Sequence, residues 1–111
     1  MNVRTALRGE VWKCALPSPL GPHPVVVLSA NRIAERLSSL TVAVITGTAG
    51  PRATHVTISR DAGVTKYDES HVNCTDLHTV SKSRLSRHLG RLSPGELSHM
   101  EECVRLILGL T

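Results

Sequence analysis

The side chains best suited to metal binding or nucleophilic attack lie far apart in the sequence. Six histidines are present without any His-x-x-x-His spacing, and the three cysteines include no Cys-x-x-Cys pair, although zinc sites usually contain such pairs. Cys14, Cys74 and Cys103 are odd in number, which argues against a disulfide framework. We therefore expect no metal, no cofactor and no disulfide, and a reduced cytoplasmic location.

Positive charge is densest in the last third of the chain. Lys82, Arg84, Arg87 and Arg91 follow one another closely, with His88 among them. The whole chain carries 13 Lys and Arg against 9 Asp and Glu, a formal charge of +4. Such a patch suits an anionic partner, but in proteins generally it is more often a solvated face.

The composition is that of one small globular domain covering residues 1–111. With 41% hydrophobic and 20% charged residues, the chain is neither disordered, collagen-like nor a coiled coil. Trp12 and Tyr67 are the only aromatic residues, so Val, Leu and Ile must fill a thin core that dimerisation would help. No apolar stretch approaches the roughly 18 residues of a membrane span, and no secretory signal begins the chain.

The first third of the chain predicts short strands separated by turns. Residues 10–15 alternate polar and apolar side chains, the pattern of a half-buried strand. Residues 17–24 contain four of the six prolines and predict a loop without regular structure. The continuous apolar run at residues 25–28 predicts a strand covered on both faces.

A short helix and further strands are expected after residue 28. Ser29 or Asn31 could cap a helix that ends near Leu37. The later strands are expected at residues 41–46, 55–58, 70–74 and 77–80, with loops at 47–51 and 61–69 and one helical turn at 82–85.

The clearest helix is at the end of the chain. Ser93, Pro94 and Glu96 form a capping-box start, and Gly109 is a natural stop. One apolar stripe runs along it: Leu97, Met100, Val104, Ile107 and Leu108. Strands in succession followed by a terminal helix indicate an antiparallel sheet or small open barrel with helical decoration, not alternating βαβ units.

Six short motifs follow one another in an order shared with a known family. They are Arg-Gly-Glu-Val-Trp at 8–12, Gly-Pro-His-Pro-Val-Val-Val-Leu-Ser at 21–29, Val-Ala-Val-Ile-Thr at 42–46, Thr-His-Val at 54–56, Thr-Val-Ser-Lys-Ser-Arg-Leu at 79–85 and Gly-Arg-Leu-Ser at 90–93. None is diagnostic alone. Together they span nearly the whole chain, which resembles the MazF/PemK-type toxins of bacterial toxin–antitoxin systems.

This resemblance implies a small Src-homology-like open barrel with a C-terminal helix, assembled as a homodimer. It implies a sequence-selective, metal-independent endoribonuclease that acts on single-stranded RNA. In such enzymes the ribose 2′-hydroxyl attacks the adjacent phosphorus and leaves a cyclic phosphate and a 5′-hydroxyl. A cognate antitoxin protein, often with an acidic or disordered segment, covers the RNA groove and silences the toxin.

Two candidate catalytic residues follow from the resemblance. The family usually has an arginine before the Pro-Val-Val-Val strand and a serine or threonine at the end of the next strand; here these positions hold His23 and Thr46. Thr46 can donate a hydrogen bond to the charged phosphorus group. His23 can exchange protons near neutral pH, but it lacks a permanent charge, which Arg52 or Arg84 could supply. A purely structural role for either residue stays open.

The candidate RNA-binding residues are Arg52, His78, Lys82, Arg84 and Arg87. His78 stands where the family more often has an arginine, and Asp76 beside it adds negative charge that weakens attraction for phosphates. Trp12 is expected in the core or a dimer interface rather than as a platform for stacked bases.

Three further functions are compatible with the same fold. One is a non-catalytic toxin that acts by protein binding, as a CcdB-like gyrase poison does. Another is an RNA-binding module with decayed activity, and the third is a subunit whose main task is to hold its antitoxin. The missing arginine favours a decayed module, whereas the histidine in its place keeps proton transfer possible.

Overall fold

The computed structural model describes residues 5–110. Its strands are β1 (Glu10–Ala15), β2 (Pro22–Val27), β3 (Ser39–Thr46), β4 (His55–Ile58), β5 (Ser70–Ser81) and β6 (Leu85–Arg91). They form one antiparallel sheet in the order β4-β5-β3-β2-β1-β6. The helices are α1 (Asn31–Arg36) and α2 (Pro94–Leu108), with short 3₁₀ turns at Arg60–Ala62 and Lys82–Arg84. The predicted antiparallel sheet with a C-terminal helix is confirmed.

Both faces of the central strand β2 are buried. Val26 packs in one apolar cluster with Met100 of α2, whereas Val25 and Val27 pack in a second cluster that contains Trp12. Successive side chains of a strand point to opposite faces, so the valine run contributes to both clusters. The strand covered on both faces is thus confirmed, and Trp12 is a core residue, 4% exposed.

Strand β2 begins earlier than the proline content predicts. Residues 22–24 are not a loop: they pair with Lys13, Cys14 and Ala15 of β1. The pairing of β2 with β3 covers only residues 25–27, so residues 22–24 have a sheet neighbour on one side alone. Prolines are tolerated at such an edge because no ladder hydrogen bond is lost there.

The two predicted strands at 70–74 and 77–80 are one continuous strand, β5. The register shifts where Ala43 faces Leu77 and Val44 faces Asn73, so the intervening residues of β5 form a bulge. Inside the bulge the Asn73 side chain accepts hydrogen bonds from the amide and hydroxyl of Thr75, at 3.0 and 2.6 Å. Residues 75 and 76, which lie between the two predicted strands, therefore belong to a bulge and do not end the strand.

Strand β6 was not predicted, although the 3₁₀ turn before it agrees with the expected helical turn. It pairs with β1 at the edge of the sheet, and only Leu85 of its seven residues is buried. Edge strands are polar and charged because such residues discourage pairing with other chains. The basic residues of β6 therefore obscured the strand pattern.

The expected caps of α1 are wrong, whereas those of α2 are confirmed. Ser29 Oγ accepts from the Thr41 amide and Asn31 Oδ1 from the Arg8 amide, both at 2.8 Å, so neither caps α1. Ser93 forms the complete capping box of α2, and Gly109 ends that helix with φ 69°.

The buried face of α2 differs slightly from the predicted stripe. Met100 and Cys103 are buried in the cluster beneath the helix, and Leu97, Val104 and Ile107 pack against it. Leu108, at the last residue of the helix, is 53% exposed and does not belong to the core. Within residues 5–110, no helix is long and apolar enough to cross a membrane.

Candidate active site

His23 lines a surface cavity of about 330 Å³ beside the first residues of β2. The cavity is bounded by β1, β2, β6 and the segment 63–66 between β4 and β5. Its walls are formed by Lys13, Pro22, His23, Pro24, Gly63, Val64, Thr65, Lys66, Arg87 and Leu89. The proline-rich strand start thus places a histidine among three cationic side chains.

The His23 imidazole has one nitrogen engaged and one without a partner. Nε2 lies 2.7 Å from the Ile45 carbonyl oxygen; a carbonyl can only accept, so Nε2 carries the hydrogen. The Tyr67 hydroxyl oxygen is 3.2 Å from the same nitrogen. Nδ1 is then unprotonated, buried and without a hydrogen-bond partner in the described structure.

The surroundings of His23 disfavour its charged form. Burial is the main cause that lowers its pKa from 6.5, and the positive charge of Lys66 lowers it further. The hydrogen bond to Ile45 and the negative charge of Asp76 oppose this shift without cancelling it. At neutral pH, His23 is therefore a neutral imidazole with a free lone pair.

Thr46 ends strand β3 next to this histidine. His23 contacts the carbonyl of the preceding residue, Ile45, and the β2–β3 register, in which Val25 faces Val44, would place His23 opposite Thr46 if continued by two residues. Thr46 Oγ1 accepts from the Thr48 amide at 3.1 Å. Its own hydrogen remains available to a ligand. The structure therefore brings the two predicted catalytic residues to adjacent strand ends.

Tyr67 packs between these two strand ends. Its hydroxyl contacts His23, and its ring lies against Gly47, where a Cβ atom would stand 2.5 Å from Tyr67 Cδ1. The residue after Thr46 must consequently be glycine for the ring to keep its place. The Lys66 ammonium lies 5.5 Å from the Tyr67 ring centroid, a cation–π contact.

The predicted RNA-binding residues are dispersed over the surface. Arg87 lines the His23 cavity, while Lys82 and Arg84 lie on the 3₁₀ turn before β6. His78 Nε2 bonds to Asp76 Oδ1 at 2.8 Å. Arg52 lines a different cavity, beside α2. Neither Arg52 nor Arg84 is among the residues lining the His23 cavity. The structure therefore does not place either arginine where it would supply the positive charge that His23 lacks.

Most of the chain matches a known protein family. Residues 7–108 match the model of a family described as PemK-like, MazF-like toxin of type II toxin–antitoxin system. The chain belongs to this family. The match covers every element from β1 to α2, so the resemblance found in the short motifs extends to the whole described fold.

Relatives of this toxin occur in Mycobacterium tuberculosis. It is 36% identical over 86 residues to the probable endoribonuclease MazF5, covering 78% of this chain and 77% of the relative. It is 28% identical over 102 residues to the probable endoribonuclease MazF2, covering 92% and 97%. The solved structure of a mycobacterial endoribonuclease in complex with its cognate antitoxin, 23% identical, has a TM-score of 0.79 over 95% of this chain and 96% of that one. The antitoxin-bound structure therefore shares this toxin's fold.

The cysteines of this toxin are free and buried. Burial raises the pKa of all three thiols, that of Cys74 to about 12. A thiol is nucleophilic only as thiolate, so these side chains are unreactive at neutral pH. Among residues 5–110, no three His, Cys, Asp or Glu side chains gather as a possible metal site.

Sequence reasoning missed three residues of the site: Lys13 and Lys66, which line the cavity, and Tyr67, whose hydroxyl contacts His23. Lys66 and Tyr67 lie in a segment expected to be only a polar loop, and Lys13 reads as the exposed face of a strand. The one available signal was that Lys66, a cation, directly precedes Tyr67, one of the two aromatic residues. Only the tertiary fold brings it beside His23.

The protonation state of His23 can be measured directly. We expect its imidazole to be neutral and protonated at Nε2 at pH 7, with a pKa below 6.5. A two-dimensional ¹⁵N–¹H spectrum of the imidazole, recorded from pH 5 to 8 and assigned with His23→Gln, reports both properties. A pKa above 6.5 or an Nδ1-protonated tautomer would contradict this description.

Proposed function

We propose that this toxin is a metal-independent endoribonuclease that cleaves single-stranded RNA at selected sequences. The observation that carries the proposal is a cation-lined cavity that contains His23 and lies next to Thr46. The Nδ1 atom of His23 is buried without a partner in the free protein, which costs about 1–3 kcal/mol, and a catalytic role is one explanation of such an atom. The relatives named probable endoribonucleases support the same activity.

The reaction needs a base, a donor for developing charge, and an exit for the leaving group. Neutral His23 takes the proton of the ribose 2′-hydroxyl, and the 2′-oxygen then bonds to phosphorus while the bond to the 5′-oxygen breaks. The Thr46 hydroxyl donates to a nonbridging oxygen as negative charge develops there. The 5′-oxygen takes up a proton from solvent, and the products are a cyclic phosphate and a 5′-hydroxyl.

The basic residues bind the RNA backbone. Arg87 does so at the cavity, and Lys82, Arg84, Arg52 and His78, which lie elsewhere on the surface, bind more distant phosphates. Contacts to phosphates release counterions, so binding weakens as salt rises. With Trp12 buried, base stacking depends on the exposed His88 and on half-buried histidines, and selectivity comes chiefly from the shape of the surface.

The partners of the toxin are an antitoxin and a second copy of the chain. The formal charge of +4 favours an antitoxin segment with acidic residues that competes with RNA for the basic surface. The mycobacterial endoribonuclease of the same fold was solved with its cognate antitoxin. Ile33 and Leu37, 51% and 53% exposed on or next to α1, leave apolar area for a homodimer.

The activity is tested with purified toxin and single-stranded RNA of mixed sequence in the presence of EDTA. We expect cuts at defined positions, with cyclic phosphate ends, because no step requires a metal. An RNA with a 2′-deoxy residue at a mapped site should not be cut there, since it lacks the nucleophile.

Three other results of this test would contradict the proposed activity or indicate a different function. Absence of products from varied RNA pools between pH 6 and 8 contradicts the proposal. Salt-dependent RNA binding without products would indicate a decayed module instead. Growth arrest with intact RNA and broken DNA would indicate a gyrase poison.

A further inference from the structure

The His23 cavity contains three cationic side chains that come from three parts of the chain. Lys13 lies on β1, Lys66 on the segment between β4 and β5, and Arg87 on β6. All three are exposed at the cavity wall. Permanent positive charge is therefore concentrated where a phosphate would meet His23.

His23 supplies no permanent charge, because it becomes cationic only as it takes the 2′-hydroxyl proton. Its Nε2 hydrogen is directed at the Ile45 carbonyl oxygen, 2.7 Å away, and burial keeps the ring neutral at pH 7. Transfer of the 2′-hydroxyl proton to His23 leaves the extra negative charge on the nonbridging oxygens of the phosphorus. A permanent cation near those oxygens would stabilise this charge far better than water does.

We propose that Lys66 is a catalytic residue that neutralises the scissile phosphate and so provides the charge absent from His23. This inference rests on the proposed endoribonuclease function. The 2′-oxygen bonds to phosphorus, the bond to the 5′-oxygen breaks, and the proton moves to His23. The Lys66 ammonium binds a nonbridging oxygen throughout and exchanges no proton.

Lys66 is better placed than the other cavity cations. Its ammonium lies 5.5 Å from the Tyr67 ring centroid, and the Tyr67 hydroxyl is 3.2 Å from His23 Nε2. Its charge acts on the His23 imidazole electrostatically. Tyr67 thus links the lysine to the histidine and restrains the flexible lysine side chain near it.

The backbone before Lys66 is held firmly against β6. Gly63 has φ +86°, and a Cβ atom there would stand 2.0 Å from the Leu89 carbonyl oxygen. A contact this close fixes the segment relative to the strand that carries Arg87. The backbone that carries Lys66 is therefore rigid. A charge that must stay near one phosphate needs such a support.

The test compares Lys66→Met with Lys66→Arg. Removing the charge while keeping a long side chain should lower kcat for RNA cleavage about 10²-fold, with a smaller change in KM. Lys66→Arg should retain most of the activity because it restores the charge. Arg32→Met removes an exposed cation from α1 and should cleave like the wild type.

A second measurement does not depend on cleavage. Inorganic phosphate is titrated into the wild type and Lys66→Met, and the His23 imidazole signals are followed by NMR. Phosphate should shift these signals in the wild type and do so far more weakly in Lys66→Met. In the free proteins, the His23 pKa should be higher in Lys66→Met, because Lys66 lowers it.

The outcomes separate the two proposals. The role of Lys66 is overturned if Lys66→Met has the same kcat as the wild type. It is also overturned if Lys66→Met and Lys66→Arg lose the same fraction of kcat. Neither result contradicts the endoribonuclease function. A wild type that cuts no RNA overturns the endoribonuclease and, with it, a catalytic Lys66. An unchanged phosphate response in Lys66→Met overturns the phosphate site whatever the cleavage result.

Discussion

Replacing His23 with alanine is expected to reduce RNA cleavage by up to about 10⁴-fold, the upper range for loss of a general base. The thermal midpoint should stay close to that of the wild type. Loss of the hydrogen bond to Ile45 is offset, because the variant no longer buries an unpartnered Nδ1 atom. Single-turnover cleavage and thermal denaturation of the same preparation measure both quantities.

Two further variants show what His23 does. His23→Gln can still donate a hydrogen bond to Ile45 but cannot take a proton at neutral pH, so it should be as inactive as His23→Ala. His23→Arg restores the residue type usual in the family and supplies charge without a base. Activity in His23→Ala would remove this residue from the mechanism, and activity in His23→Arg alone would make it an electrostatic group.

The pH dependence of the wild type follows from the lowered pKa of His23. Because the base form persists below pH 6.5, cleavage should decrease only as the pH falls through this lowered pKa. The free energy of unfolding also decreases as the pH falls. The unfolded chain binds the proton more readily, so stability falls as the pH drops below 6.5. His23→Gln should lose this contribution to the stability profile, as followed by urea denaturation at several pH values.

Replacing Gly63 with alanine is expected to destabilise the toxin by about 2–5 kcal/mol. The residue has φ +86°, which disfavours any side chain, and the new Cβ would meet the Leu89 carbonyl at 2.0 Å and the Gly90 amide at 3.2 Å. These are backbone atoms of β6 that cannot move aside as a flexible side chain can. The midpoint of thermal unfolding should fall by roughly 8 °C or more.

Gly95→Ala is the matched control for this substitution. Gly95 lies in the first turn of α2, has no positive φ, and has open space where the Cβ would be. The free energy of unfolding of Gly95→Ala should remain within about 1 kcal/mol of that of the wild type. If Gly63→Ala unfolds at the same temperature as Gly95→Ala, the close contact between residue 63 and β6 does not exist in solution.

The sequence predicted those elements whose local signals are strong. The capping box at Ser93 and the alternation in β1 fixed the start of α2 and a strand, because both signals lie within a few residues. Strand β6 was missed because its edge position permits charged residues. The start of β2 was missed because an edge also permits Pro22 and Pro24.

The site was only partly predictable for a related reason. The choice of His23 and Thr46 as candidates followed from the family resemblance of two motifs, which the structure places on neighbouring strands. Lys66 and Tyr67 reach the same place from a loop, through tertiary contacts that no local pattern encodes. The charge expected from Arg52 or Arg84 comes instead from residues that the fold, and not the chain order, brings to the histidine.

The position of β6 in the sheet has a consequence for how the toxin is made. β6 pairs with β1, the first strand, and it carries Arg87 and the backbone against which Gly63 packs. A nascent chain on the ribosome therefore lacks the finished cavity until β6 has been translated. The messenger and ribosome that produce the toxin are thus not exposed to an assembled His23 cavity before the residues of β6 have left the ribosome.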